Sequence, residues 1–503
     1  MFAPRRSLLS IPLPAPALAA VWALAAVAGG LALARWPWLT VLAVIAGLVA
    51  VAAAVWEPAL GLGLALAIGL SRAYLAAARP GTPDLGQVFL GLALAGWLAR
   101  SLALRRIVIP RTGLLLALGL YVGASLLSLP PTPSASLELG LLELIKWTEV
   151  GAILVLVVSE SQRGRVRWVI GAVLLAGLIQ GLIGIWQYQF RGFGPENFQI
   201  LGNHYRAYGT FEQPNPYAGF LGLVWPIAAG LAWACLTLAW RARRVAPALA
   251  AAVLAGLAAV MLAGLYVSFS RGAWLGAAAA GLALAAALPR RTWLGVTLVG
   301  LGLAGGWVLA ANSLLPSSLT ARLAQVGDFI NTTDVTGVDI TPDNFAIVER
   351  LAHWQAAEGM VRDYPWLGVG VGNYEVAYPR YSLINWPVAL GHAHMIYLNV
   401  LAETGLLGLS TYVILWLAVL ALTLRVIRRT DGLARGLALG LLGAWVHLAV
   451  HQIVDDLYVN NIPLTIGALL GVLVVLSRAP RQIVPAARVN ARPHSFTSGN
   501  HDD

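Results

Sequence analysis

The sequence predicts an all-α polytopic membrane protein with about 14 transmembrane helices and a large extracytoplasmic loop containing an amphipathic helix. Three observations predict it. Hydrophobic residues make up 59% of the chain and charged residues 11%, against about 25% charged in ordinary globular chains. Apolar runs of about 18 residues or more, enough to cross a bilayer, recur along the whole chain. The connections between them alternate between arginine-rich and arginine-poor, as connections on opposite sides of a membrane do. A transmembrane barrel would show short alternating segments instead.

The expected spans run roughly over 16–34, 38–55, 59–77, 85–99, 112–129, 139–158, 168–188, 217–239, 246–267, 273–288, 292–311, 396–424, 436–454 and 462–477. Polar residues weaken the third, near Arg72, and the sixth, which contains Glu143, Lys146 and Glu149. The N-terminus, MFAPRRSLLSIPLPAPALAA, starts basic and turns apolar; it reads as an uncleaved first anchor rather than a cleaved signal peptide. With that end inside, the cytoplasmic loops hold Arg100, Arg105 and Arg106, then Arg163, Arg165 and Arg167, then Arg241, Arg243 and Arg244. Arg290 and Arg291, Arg425 to Arg435, and Arg478 and Arg481 continue the series, whereas RPGTPD, PPTPSAS and DDLYVNN carry little positive charge. An even number of spans and two cytoplasmic termini follow. This topology accounts for the net charge of +11, so no nucleic-acid partner is expected. Cys235, the single cysteine, cannot form an intramolecular disulfide.

Three regions result: N-terminal membrane helices over 1–190, a second membrane region over 191–477, and a polar tail over 478–503 that is expected to be disordered and cytoplasmic. Two connections in the second region exceed ordinary loop length, Arg191 to Asn215 and the extracytoplasmic loop 312–394. The latter contains FAIVERLAHWQAAEGMVRDYPWLGVGVGNY, an amphipathic helix from about Asn344 to Asp363 with Ile347, Leu351, Trp354 and Met360 on or near one face. Pro365 ends it, and Gly368, Gly370 and Gly372 form a tight turn region.

Polar groups near membrane depth are costly, which makes them functional candidates. In YVSFSRGAWLG, Arg271 interrupts an apolar segment between two spans, with Ser268 and Ser270 beside it as hydroxyl donors. It is either an interfacial arginine snorkelling to headgroups or a planar, permanently charged donor to phosphate oxygens. In NHYRAYGTFEQPNPYAG, Arg206 precedes a turn, and Pro214, Asn215 and Pro216 open the next helix. Those are ordinary starting residues, yet an outward helix N-terminus also suits anions. Arg206 and Asn215 thus form a second phosphate or saccharide contact, or a solvated loop charge.

In GHAHMIYLNVLAETGLLGL, His392 and His394 are two apart, a spacing that suits a loop leading into a helix near Met395. A histidine there is either a proton acceptor or simply a hydrogen-bonded polar residue. His-x-His also suits a metal, but no local Cys or acidic partner completes a site, so no metal or cofactor is expected. Glu403 reads as structural, pairing with a polar group on another helix. In WVHLAVHQIVDDLYVNNIP, His447 and His451 share a helix face with Asp455 one turn on. That spacing fits a metal or a proton relay, and a polar helix end near water is the preferred reading.

These stretches resemble the O-antigen ligase family of bacterial polysaccharide ligases and polymerases. The elements that carry the resemblance are YGTFEQPNPYAG, SFSRGAWLG, ERLAHWQAAEGMVRDYPWLGVGVGNY and HAHMIYLNVLAETGLLGL, in the family's order within Arg191 to Asn461. The resemblance implies that 191–477 is a catalytic membrane region. It would transfer a glycan from undecaprenyl pyrophosphate to an acceptor hydroxyl at the outer face of the cytoplasmic membrane, in cell-surface polysaccharide biosynthesis. It implies that Arg271 engages the pyrophosphate and that His394 activates the hydroxyl. Family members more often carry Asn after that histidine, where this chain has Met395, so His392 stays a second candidate.

The chemistry of the residues agrees with that expectation. A pyrophosphate leaving group needs its charge neutralised, for which Arg271, Arg206 and Arg350 are available. The attacking hydroxyl needs a base. Trp354 and Trp366 offer surfaces for sugar rings, or interfacial anchors. The expected enzyme is a metal-independent inverting glycosyltransferase that uses a lipid-linked oligosaccharide donor and a lipid, glycan or protein acceptor. A polymerase of the same family is the near alternative. A proton- or metal-coupled secondary transporter using His447, His451, Asp455 and Glu403 is the distant one, but no repeated halves support it. A flippase would want cationic groups away from the outer side, and Arg72 alone is a candidate.

Overall fold

A computed structural model describes residues 37–129, 135–200, 204–314, 334–341 and 344–478, with the single positions 27, 35, 132 and 202. The stretch 16–34 (apart from position 27), part of loop 312–394, and the tail beyond 478 lie outside the described residues. The chain is a multi-pass, mostly helical membrane protein with almost no strand among the described residues. Among the described residues, nine helical stretches are long and apolar enough to cross a membrane, and Gly113–Leu127, Arg271–Ala287 and Ile462–Ser477 are shorter apolar helices.

In chain order the helices are α1 (Trp38–Trp56), α2 (Pro58–Ile68), α3 (Arg72–Ala78), α4 (Leu85–Ala103), α5 (Gly113–Leu127), α6 (Leu137–Ser161) and α7 (Val166–Gln189). A two-residue antiparallel pair follows, β1 (Gln199–Ile200) and β2 (His204–Tyr205). Then come α8 (Pro214–Ala242), α9 (Val245–Tyr266), α10 (Arg271–Ala287) and α11 (Thr292–Ala311). Beyond the long loop's own α12 (Phe345–Asp363) and α13 (Tyr374–Ala377) lie α14 (Ile396–Arg429), α15 (Gly432–His451) and α16 (Ile462–Ser477).

Polar residues weakened two expected spans, and the structure treats them differently. The third breaks at a 3-10 turn, Gly69–Ser71, and Arg72 ion-pairs with Asp84 at 3.2 Å. The sixth continues through its charges as the 25-residue α6, because Lys146 finds Glu143 one turn away at 2.6 Å.

The centre of the bundle is α8, α15 and α16, each buried along most of its length, while α1 and α11 expose almost every side chain, as lipid-facing helices do. Glycine lets the central helices approach. A Cβ at Gly222 of α8 would come within 1.8 Å of His447 Nε2, and one at Gly276 of α10 within 2.9 Å of Nδ1. His447 is therefore a fully buried plug between α8, α10 and α15. This corrects the reading of that stretch as a polar helix end near water.

The long loop contains the expected amphipathic helix. α12 buries Ile347, Leu351 and Met360, and Trp354 is half-buried. After it, Gly368, Gly370 and Gly372 all take left-handed φ, at 69°, 120° and 71°. That turn is stitched into α14, which breaks at Gly405 (φ 65°, ψ −166°). Leu406 N–H donates to Pro365 O at 2.8 Å, while Val369 and Gly370 N–H donate to Ala402 and Glu403 carbonyls at 2.9 and 3.0 Å. Glu403 completes the seam. Its carboxylate accepts the N–H of Gly372 at 3.0 Å and of Tyr374 at 3.1 Å. The expected partner on another helix is thus replaced by loop backbone, which would otherwise be buried unsatisfied.

Gly405 bears the tightest part of this arrangement, since a Cβ there would lie 2.2 Å from the Trp366 carbonyl carbon. Gly405→Ala should destabilise the protein by more than about 2 kcal/mol, from the left-handed φ and the overlap together. Thermal unfolding of the detergent-purified protein measures this, and a melting temperature within a degree of wild type would contradict it.

Candidate active site

Four connections meet at one end of the bundle, and each delivers a candidate side chain. The turn from α9 to α10 is forced tight by Phe269, whose φ is +53°. Ser270 caps α10, accepting the Ala273 N–H at 3.4 Å, so Arg271 becomes the helix's first residue and emerges at its end. Ser268 is not a donor towards the site as expected, because its buried hydroxyl donates to Leu265 O at 2.6 Å. Before α8, Arg206 donates through Nε to Ser268 O at 2.9 Å and through Nη2 to Asn215 Oδ1 at 3.2 Å. Asn215 is therefore the residue that orients Arg206. On α12, Arg350 donates to Ala346 O at 2.7 Å and, across the interface, to Val454 O at 3.2 Å.

These groups line one cavity of about 360 Å³. Arg206, Asn215, Arg271, Arg350 and Trp354 all face it, as does Asp455. Five of the seven expected site residues are thus brought together from stretches that begin before α8 and end on α12. Three guanidiniums against one carboxylate give the cavity a net positive lining, which suits an anion. Trp366 is not part of it and is largely exposed.

His392 and His394 complete the picture at its edge. Both lie in the loop before α14, as their spacing suggested, and their rings approach to 4.5 Å. Three contacts hold the loop: Asn399 Oδ1 accepts the Ala393 N–H at 2.9 Å, His392 Nδ1 accepts the His394 N–H at 3.1 Å, and Ile396 N–H donates to Gln452 O at 3.1 Å. His394 itself is left-handed, φ +53°. Such strain in a bulky residue persists only where the surroundings over-determine it, and it gathers at functional sites. Neither ring nitrogen of His394 has a hydrogen-bond partner among the described residues. Burial, then the neighbouring His392, Arg350 and His353, push its pKa down to about 2. The ring is neutral.

Asp455 joins these histidines rather than His451. α15 ends at His451, so the expected shared face with Asp455 does not form. Instead, ligand atoms of His392, His394 and Asp455 all lie within 4.8 Å of one another. The acidic partner that sequence reasoning found missing beside His-x-His arrives from beyond α15, and the trio has the donor types to hold a divalent cation. His451 lines the cavity too, with Nε2 3.4 Å from Ser270 Oγ.

Residues 256–413 match a family model described as O-antigen ligase. Over that stretch the chain is similar to O-antigen ligases. The match includes Arg271, Arg350, Trp354, His392 and His394; Arg206, Asn215 and Asp455 lie outside it. Among curated proteins, none matches the chain.

Sequence reasoning missed three residues of this candidate site or their place in it. His353, on the buried face of α12, stacks on Tyr378 at 4.6 Å, meets the Tyr374 hydroxyl at 3.0 Å and lies 5.4 Å from the His394 ring. Burial, and then His392, push its pKa down to about 4. Asn399 was legible only as a lone amide in an apolar run, and Asp455 was paired with the wrong histidine. The arrangement predicts that the purified protein binds inorganic pyrophosphate. Arg271→Ala should weaken that binding roughly 10- to 100-fold, the loss of a charge-assisted contact. Calorimetric titration reads it, and equal affinity in the variant would remove Arg271 from the anion site.

Proposed function

We propose that the protein is a glycosyltransferase that moves a glycan from undecaprenyl pyrophosphate to an acceptor hydroxyl at the outer face of the cytoplasmic membrane. The observation that carries this reading is the convergence of Arg206, Arg271 and Arg350 on one cavity with His394 at its edge. The arginine-rich connections lie at the opposite helix ends from that cavity, which supports an outward-facing site and cytoplasmic termini. About 14 spans are proposed: the nine long stretches, the three shorter apolar helices, α6, and the apolar stretch 16–34. Loop 312–394 would then lie outside, with α12 over the site.

In the proposed reaction the acceptor oxygen attacks the anomeric carbon as the bond to the pyrophosphate oxygen breaks, inverting that centre. His394 takes the hydroxyl proton. Arg271 and Arg350 neutralise the charge that develops on the leaving undecaprenyl pyrophosphate, with Arg206, held by Asn215, beside them. Trp354 offers its face to the sugar. A base with so low a pKa is weak in the free protein, but the bound pyrophosphate brings negative charge that offsets Arg350, one of the neighbours that depress it. Substrate binding therefore raises the basicity of His394 where it is needed. His392, which accepts the His394 N–H, holds the loop that carries the ring.

Arg271→Ala and His394→Ala should each lower transfer by at least about 10³-fold without preventing membrane insertion. Arg271→Lys should lose most of the activity, because a point charge does not reproduce the guanidinium fork. Near-wild-type transfer by any of the three would remove that residue from the mechanism. Incubation with lipid-linked oligosaccharide, followed by identification of what the glycan becomes joined to, separates a ligase from a polymerase.

The lowered pKa of His394 has a kinetic sign. The reactive form is the neutral ring, already present in the free protein at any pH well above about 2. The kcat/KM profile, which reports the free enzyme, should therefore be flat from pH 8 to 5; a fall with an inflection near 6.5 would show an unburied base. Three guanidiniums supply the positive charge, and Arg350 opposes a cation at His394, so activity should survive exhaustive treatment with a chelator. A loss restored by a divalent cation would instead favour a metal held by His392, His394 and Asp455.

A further inference from the structure

A second cavity, of about 770 Å³, opens among α3, α4, α6, the Gly372 turn and the start of α16. Its volume falls in the range of about 300–1,000 Å³ that ligand pockets occupy. Its walls differ from those of the cationic cavity. Arg72 and Lys146 share it with Asp84, Glu143 and Glu149, so the formal charges nearly cancel. Lys146 is the chain's single lysine. The polar groups are fixed in place: Asn461 Nδ2 donates to Asp84 at 2.9 Å, and Gln87 Nε2 donates to Glu149 at 3.1 Å and to Asn461 Oδ1 at 3.2 Å.

Two ion pairs, Arg72 with Asp84 and Lys146 with Glu143, and Glu149 beside Gln87 surround one space between helices, a lining that favours a polar occupant. An anion would meet three carboxylates there. An apolar chain would leave the charges unsolvated. A hydroxyl-rich ring fits both signs, because each hydroxyl donates to a carboxylate and accepts from an ammonium, guanidinium or amide. The two cavities also flank a single segment, since Asp455 lines the first while Tyr458, Asn460 and Asn461 line the second.

We propose that this second cavity is a saccharide subsite, which holds part of a lipid-linked glycan through its hydroxyl groups while the cationic cavity holds pyrophosphate. The glycan belongs to the donor or to the acceptor. What the proposal says of the substrate rests on the glycan-transfer reading; its binding chemistry is tested separately.

Ala76 lines the cavity and is exposed. Ala76→Cys in a Cys235→Ser background gives a single thiol there, and Ala73→Cys provides a second reporter position. The probe is oligosaccharide released by mild acid from the lipid-linked glycans of the cells that make the protein. It should slow labelling by a water-soluble maleimide at least threefold, saturably, and to the same degree when Arg271→Ala is added. Adding Glu149→Gln should reduce that protection. Labelling that ignores the oligosaccharide at both positions, or that inorganic pyrophosphate slows equally, overturns the subsite. In the transfer assay, Glu149→Gln should raise the KM of the substrate whose glycan lies there at least threefold, with no matching fall in kcat. A rise for the acceptor assigns the cavity to the acceptor, a rise for the donor assigns it to the donor, and no rise for either overturns the proposal. Protection in a protein that transfers nothing would keep the subsite and discard the reaction, and transfer without protection would do the reverse.

Discussion

A guanidinium at the edge of a hydrocarbon layer must find oxygen acceptors, and this requirement organises the active end of the protein. Arg206 reaches the Ser268 carbonyl, and Arg350 reaches the carbonyls of Ala346 and Val454. The bonds to Ser268 and Val454 each join two segments that are far apart along the chain. Arg206 ties the segment before α8 to the turn between α9 and α10, and Arg350 ties α12 to the segment after α15. The same side chains therefore hold the loops in register and line one cavity. Structural satisfaction and the proposed anion recognition draw on a single set of groups, which is economical where an unpaired charge is so costly.

The backbone shows where the fold is held against its own preferences. Phe269 and His394 are both left-handed, and both immediately precede elements at the site, α10 and α14. Each turn has specific restraints around it. Ser270 caps α10 beyond Phe269, and the Asn399 amide and the Gln452 carbonyl fix the loop that presents His394. Further along α14, the break at Gly405 lets the glycine-rich turn join the helix through main-chain bonds, with Glu403 absorbing two loop amides. The proposed reactive groups are thus carried by short loops, and helices and buried amides position those loops.

The bundle beneath is built for close approach. Gly222 and Gly276 leave room for the His447 ring between three helices, and Gly230, Gly436 and Gly440 bring α8 and α15 into backbone contact. Without a hydrophobic driving force between helices in lipid, small residues and dispersion contacts supply the association. A firm centre allows the two cavities at one end to keep distinct electrostatic character, one cationic and one of mixed charge, on the two sides of the segment from Asp455 to Asn461.

Apolar run length and arginine alternation alone determined the membrane class and most helix positions, because the bilayer imposes both on any chain that crosses it. The bounds of α12 were legible to within a residue, from its periodicity and the proline after it. Arg271, Arg206 and His394 were legible as candidates because a polar residue inside an apolar sequence announces its cost. Their partners were not. Asp455 reaches His392 and His394 rather than His451, Glu403 binds loop backbone rather than a side chain, and His353 comes within ring contact of His394. Only the packing of helices distant in the chain decides such pairings, since neither periodicity nor spacing encodes which loop ends meet.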